Sequence, residues 1–74
     1  MNWHWKVRLI GKTGQYNICQ LPTGRNLSEI DAFQDFYLRL TGCKMLLEGM
    51  SEREYPDIPL ISHSFQVLWR SAFD

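Results

Sequence analysis

Residues 3–10, Trp-His-Trp-Lys-Val-Arg-Leu-Ile, are the stretch that decides the fold. From residue 3 to residue 9, apolar residues such as Trp5 and Val7 alternate strictly with basic residues such as Lys6 and Arg8. Side chains two residues apart point to the same face of a β-strand. The stretch therefore predicts a strand that packs one side against a core and leaves a basic side open to a partner.

The residues that follow predict a β-hairpin. Residues 15–21, Gln-Tyr-Asn-Ile-Cys-Gln-Leu, have the composition of a second short strand. Residues 11–14, Gly-Lys-Thr-Gly, supply the flexible turn residues that a hairpin needs. We expect residues 22–24, Pro-Thr-Gly, to end the second strand and begin a connection.

An amphipathic helix of roughly 13 residues is expected after this connection. Ser28 is a suitable N-cap, and Glu29 and Asp31 place negative charge in the first turn, where the helix dipole favours it. Gly42 stands where a C-terminal cap is preferred. The apolar stripe consists of Ile30, Phe33, Phe36, Tyr37 and Leu40.

The last third of the chain leaves alternatives open. For residues 43–50 we favour a third strand over a short helix, and residues 51–59, with two prolines, predict a loop. Residues 62–73 fit both periodicities, and we favour a strand because Phe65, Val67 and Trp69 lie within five residues. The predicted class is α+β, a ββαββ domain with one helix packed on one face of one sheet. The alternatives are ββαβα and ββαα.

Length and composition indicate a single domain over residues 1–74. With 45% hydrophobic and 14% aromatic residues, the chain is too apolar for intrinsic disorder. The formal net charge is +0, yet residues 1–25 contain four basic residues and no acid, so the remaining residues balance at −4. This asymmetry can orient the molecule toward a charged partner, or it is only an uneven distribution.

The chain carries no leader-like segment and no apolar run near the roughly 20 residues of a membrane span. We therefore expect a cytoplasmic protein without a membrane partner. Cys19 and Cys43 are expected to be reduced and to serve as small core residues.

Motifs for catalysis and metal binding are weak. Gly11-Lys12-Thr13 has the last residues of a phosphate-binding loop, but Lys6 stands where that motif requires glycine. The possible metal ligands His4, Cys19, Cys43 and His63 include no closely spaced pair. No nucleophile has a recognisable base at a suitable spacing. We expect no enzyme, no metal and no cofactor.

The basic side of the first strand is the candidate partner-binding site. Arginine and lysine beside an aromatic ring can bind phosphates while the ring stacks on a base, but the chain lacks the basic excess of most nucleic-acid-binding proteins. The same charges also suit a solvated strand face. The candidate residues are His4, Lys6, Arg8, Lys12 and Tyr16.

Together these features predict a small non-enzymatic module that binds a macromolecule, most favourably a protein, as an adaptor or inhibitor. Such free-standing modules are typical of phages and mobile elements, which is an argument by analogy. The alternatives are a nucleic-acid-binding protein that uses the basic hairpin and a structural subunit of a homo-oligomer. In a homodimer, the acidic residues Glu48, Glu52, Glu54 and Asp57 would meet the basic hairpin of a second copy; otherwise they form a solvated loop. We expect the tryptophans to be core residues rather than interface residues.

Overall fold

The chain folds into strands and helices in the order ββαβα. The computed structural model describes residues 2 to 73, so Met1 and Asp74 lie outside the described residues. The elements are β1 (Trp3–Ile10), β2 (Tyr16–Thr23), α1 (Leu27–Thr41), β3 (Lys44–Ser51) and α2 (His63–Phe73). The predicted α+β class is confirmed, and the order of elements is the alternative ββαβα.

Strand β1 is the centre of an antiparallel sheet with the order β2-β1-β3. Val7 lies opposite Cys19 on one neighbour and Leu47 on the other. Trp5 and Val7 are buried, so the alternation in residues 3–10 places the apolar side in the core as predicted. Because β1 is paired along both sides, another chain cannot add to its edge.

Strand β2 continues through Pro22, where the sequence predicted its end. Pro22 lies opposite His4, two residues after Gln20. The backbone amide of Gln20 points away from β1, since it donates to the carbonyl of Pro59. Backbone groups alternate sides along a strand, so position 22 also points outward, where the missing N–H of proline costs no ladder hydrogen bond.

Helix α1 begins earlier than predicted, because Asn26 and not Ser28 is its N-cap. The Asn26 side chain accepts a hydrogen bond from the Glu29 amide at 3.0 Å, and the Glu29 carboxylate accepts one from the Asn26 amide. This capping box also uses the Ser28 hydroxyl, which donates to Asn26 Oδ1 at 2.7 Å. Gly42 ends the helix as predicted, with a φ of 76°.

The prediction of a strand for residues 62–73 is wrong, since His63–Phe73 is a helix. Its buried residues Phe65 and Trp69 are one helical turn apart, and both pack edge-on against Phe33 of α1 with centroid distances of 5.3 and 4.7 Å. Val67, which a strand would have placed beside them, is 49% exposed. Contact with Phe33 therefore outweighs the β-propensity of this segment.

Both helices cover the same face of the sheet. Their buried side chains join those of the strands in one core, which contains Trp5, Val7, Cys19, Leu21, Ile30, Phe33, Met45, Ile61, Phe65 and Trp69. Trp5 and Trp69 belong to this core as expected, whereas Trp3 is half-buried at its margin. Neither helix in residues 2–73 is long and apolar enough to cross a membrane.

Candidate functional site

The segment between β3 and α2, residues 52–62, crosses the face of the sheet that the helices leave uncovered. We call it the crossing loop. The side chain of Gln20 lies on that face, because its neighbours Cys19 and Leu21 point into the core. Its amide nitrogen donates to the carbonyls of Tyr55 and Ile58 at 2.9 and 2.6 Å. Its amide oxygen accepts from the Tyr55 amide at 2.9 Å, so one side chain fixes the loop on the sheet.

Tyr55 spans the sheet from β2 to β3. Its backbone is bound to Gln20, and its hydroxyl lies so close to Gly49 that a Cβ at that position would be 2.9 Å away. Lys6 of β1 lies opposite both Gln20 and Gly49. The tyrosine ring therefore crosses the sheet at Lys6, and the loop then joins the outer edge of β2 through a parallel bridge between Gln20 and Leu60.

The half of this face nearer the β1–β2 turn stays uncovered, and we call it the hairpin patch. Arg8 pairs with Ile18 and Leu46 on its two neighbours, and Ile10 pairs with Tyr16 and Lys44. Paired residues share a face, so these side chains form one surface. Tyr16 and Leu46 are 55% and 44% exposed. The hairpin patch consists of Arg8, Ile10, Tyr16, Ile18, Lys44 and Leu46.

Arg8 is held in place at the centre of the hairpin patch. Its guanidinium lies over the ring of Tyr16, 4.6 Å from the centroid, and its Nε forms an ion pair with the Glu48 carboxylate. About a third of the Arg8 side chain is exposed. The cation–π contact and the ion pair restrict the rotamers of Arg8, while the ion pair balances its charge.

The five candidate residues from the sequence do not form one stripe. Arg8 and Tyr16 lie together, as the hairpin register requires. Lys6 is half-buried where Tyr55 crosses, and His4 is half-buried one row further from the turn. Lys12 packs instead against the end of α1, where a Cβ at Gly42 would lie 2.5 Å from its Cε. A cation at this helix end interacts favourably with the dipole.

Sequence reasoning missed the apolar members of the hairpin patch. Ile10 lies two residues after Arg8 on the same strand, and Ile18 lies opposite Arg8 in the hairpin, so the strand period and the hairpin register were the available signals. Leu46 could be placed only with the order of the strands, because its side of β3 depends on pairing with β1. The surface is therefore more apolar than the basic stripe seen in the sequence.

Other concave surfaces occur in the described part of the chain, and two of them lie at the ends of the helices. A groove of about 380 Å³ lies at the start of α1 and is bordered by Trp3, Leu27 and Met50. A cleft of about 290 Å³ separates β2 from α2 and includes Arg25. Arg25 stacks on Phe73 at 4.7 Å and pairs with Glu29 at 2.9 Å, so it ties the two helices to the end of β2.

The two cysteines lie outside the hairpin patch. Burial raises the pKa of the Cys19 thiol above its ordinary value, which makes it a weak nucleophile at neutral pH. Cys43 is half-buried, and both cysteines are free thiols. Within residues 2–73, no three histidine, cysteine, aspartate or glutamate side chains come together as metal ligands.

Comparison with protein-family models, with curated proteins and with solved structures finds no match to this chain.

Proposed function

We propose that this protein is a small non-enzymatic module that binds another protein through the hairpin patch and acts as an adaptor or inhibitor. The observation that carries the proposal is the stacked pair of Arg8 and Tyr16, set among the apolar side chains of Ile18 and Leu46. The two free cysteines suit the reducing cytoplasm in which we expect it to act.

The residue types of the hairpin patch favour a protein partner. Tyrosine and arginine are enriched among the residues that dominate interface energies, especially where apolar neighbours exclude water from them. Arg8 is already oriented by Tyr16 and Glu48, so binding would cost little additional side-chain entropy. The patch is thus a preorganised surface.

The charges of the patch define the chemistry of the partner. Glu48 balances Arg8, which leaves the exposed Lys44 as the charge at the margin of the apolar surface. A complementary protein surface would carry an apolar side chain that packs between Tyr16 and Leu46 and a carboxylate that pairs with Lys44.

The same arrangement gives less support to nucleic-acid binding. A nucleic-acid surface needs several cations that are free to reach phosphates. Arg8 is paired with Glu48, Lys6 is half-buried where Tyr55 crosses, and Lys12 packs against the end of α1. Nucleic-acid binding is therefore an outcome that the experiment must exclude.

The experiment measures fluorescence anisotropy of a labelled probe peptide that alternates glutamate with leucine and phenylalanine. The test variant is Leu46→Gln, and the matched control is Leu40→Gln, another exposed leucine but on α1. We expect the wild type and the control to bind alike and Leu46→Gln to bind about tenfold more weakly, the loss of one interface leucine.

Equal binding by all three proteins would contradict the proposal, as would no binding by the wild type. Labelled single-stranded and duplex DNA are measured in parallel at low salt. Tight DNA binding that weakens steeply with added salt would instead support the nucleic-acid alternative.

A further inference from the structure

We infer that a second copy of this chain is a partner of the hairpin patch, in a symmetric dimer that places the crossing loop of each copy on the hairpin patch of the other. The inference rests on the proposed function, because it names one protein that the patch binds. It follows from the shape and the charge of the sheet face.

The uncovered face of the sheet has a step. Tyr55 and its neighbours stand on the row of Lys6, between Gln20 and Gly49. The next row toward the turn is that of Arg8, where Leu46 of β3 is 44% exposed. The half of the face that carries the crossing loop is thus raised by the thickness of the loop. The other half, which is the hairpin patch, is recessed.

The proposed twofold axis relates the two copies. It lies in the plane of this face and perpendicular to the strands. Rotation about it turns the second copy face to face with the first and reverses its strands. The raised half of each copy then enters the recessed half of the other. The contact is isologous and closed, so it yields a dimer and not a filament.

The charges of the two halves are complementary. The crossing loop exposes Glu52, Glu54 and Asp57 against a single arginine, Arg53, whereas the recessed half exposes Lys44. The carboxylate of Glu48 on the recessed half already forms an ion pair with Arg8. The twofold arrangement therefore brings unlike charges together twice, and a parallel arrangement of the two faces would bring like charges together.

The apolar side chains are complementary as well. Tyr16 and Leu46 leave 55% and 44% of their surface uncovered in the recess. Pro56 is exposed on the raised loop. Because the loop is fixed by three hydrogen bonds to Gln20, it can enter the recess without first being ordered.

Sedimentation equilibrium from micromolar to millimolar concentration tests the inference. The mass of the wild type should rise from 8.8 kDa toward twice that value. Lys44→Glu and the double variant Glu52→Lys/Glu54→Lys should each raise the dimer dissociation constant at least about tenfold, because each homodimer then has like charges in both contacts. Arg70→Glu, the same change of charge as Lys44→Glu but on an exposed residue of α2, should leave the dissociation constant unchanged.

An equimolar mixture of Lys44→Glu with the Glu52→Lys/Glu54→Lys variant is the decisive arm. The mixed dimer has one native and one reversed contact, so unlike charges meet in both and dimerisation should return. A wild type that stays monomeric, or a mixture that stays as monomeric as its components, would overturn the inference. If the wild type is monomeric but binds the probe peptide at Leu46, only the second copy is ruled out and the proposed function stands. If the wild type is monomeric and the peptide also fails to bind, the proposed function itself fails.

Discussion

The replacement of Gln20 by leucine should release the crossing loop from the sheet. Gln20 is fully buried, and its side chain makes three hydrogen bonds to the backbone of Tyr55 and Ile58. Leucine fills a similar volume but satisfies none of these groups. Each of these three hydrogen bonds contributes about 1 kcal/mol net, so their loss should lower the free energy of unfolding by about 3 kcal/mol. For a domain of this size, the melting temperature should fall by about 15 °C.

Urea and thermal unfolding, followed by tryptophan fluorescence and circular dichroism, measure the loss for Gln20→Leu. Gln34→Leu is the matched control, since Gln34 is half-buried on α1 and its side chain makes no hydrogen bond within residues 2 to 73. It should change the stability by no more than about 0.5 kcal/mol. Hydrogen exchange should also show a loss of protection at the Tyr55 amide in Gln20→Leu. A loss of stability below about 0.5 kcal/mol with the Tyr55 amide still protected would refute the role assigned to Gln20.

Three further changes test the local structure. Asn26→Ala removes the capping box of α1 and should cost about 1 kcal/mol in urea unfolding, whereas Ser28→Ala should cost less because Ser28 is not the cap. Gly42→Ala places a side chain at a φ of 76° and against Lys12, so it should lower the stability by about 1 kcal/mol or more and by more than Gly14→Ala, which has the same kind of φ and no neighbour within 4 Å. Burial raises the pKa of Cys19 in the folded state, so the stabilisation by the buried thiol is present at neutral pH and should be lost as the pH rises above about 9, the ordinary pKa of a cysteine. Cys19→Ala should flatten this fall of the free energy of unfolding with pH, measured in a series of unfolding curves. An unchanged dependence on pH would contradict the burial of the thiol.

The elements that sequence reasoning placed well carry their signals locally. The alternation in residues 3–10 needs only the strand period, and Gly42 ends α1 by its own backbone conformation. The start of α1 was missed by two residues because Asn26 and Ser28 are both good caps. What decides between them is Glu29, which lies three residues after Asn26 and completes the capping box.

The prediction for residues 62–73 is wrong because this segment fits both the strand and the helix period. A contact with a residue far away in the sequence decides between the two. Phe65 and Trp69 suit a strand by composition, yet as a helix they both reach Phe33, more than thirty residues earlier. Propensity is a weak prior beside the burial of aromatic rings in a small core.

The hairpin patch was half predictable for the same reason. The hairpin register brings Arg8 and Tyr16 together, and that register follows from the turn. The covering of Lys6 depends on hydrogen bonds between Gln20 and residues 35 and 38 positions further along the chain. Sequence periodicity does not predict such a contact. The basic stripe predicted from the sequence therefore includes Lys6, which the crossing loop partly covers.

Two-dimensional amide NMR during titration with the probe peptide shows which surface of the protein binds a partner. We expect perturbation of resonances from the hairpin patch, namely those of Arg8, Tyr16, Ile18 and Leu46, with little change at the groove formed by Trp3, Leu27 and Met50. The indole N–H of Trp69, packed against Phe33 on the other face, should not move. Perturbation centred on the groove, or a spectrum that does not change, would contradict the claim that the hairpin patch is a protein-binding surface.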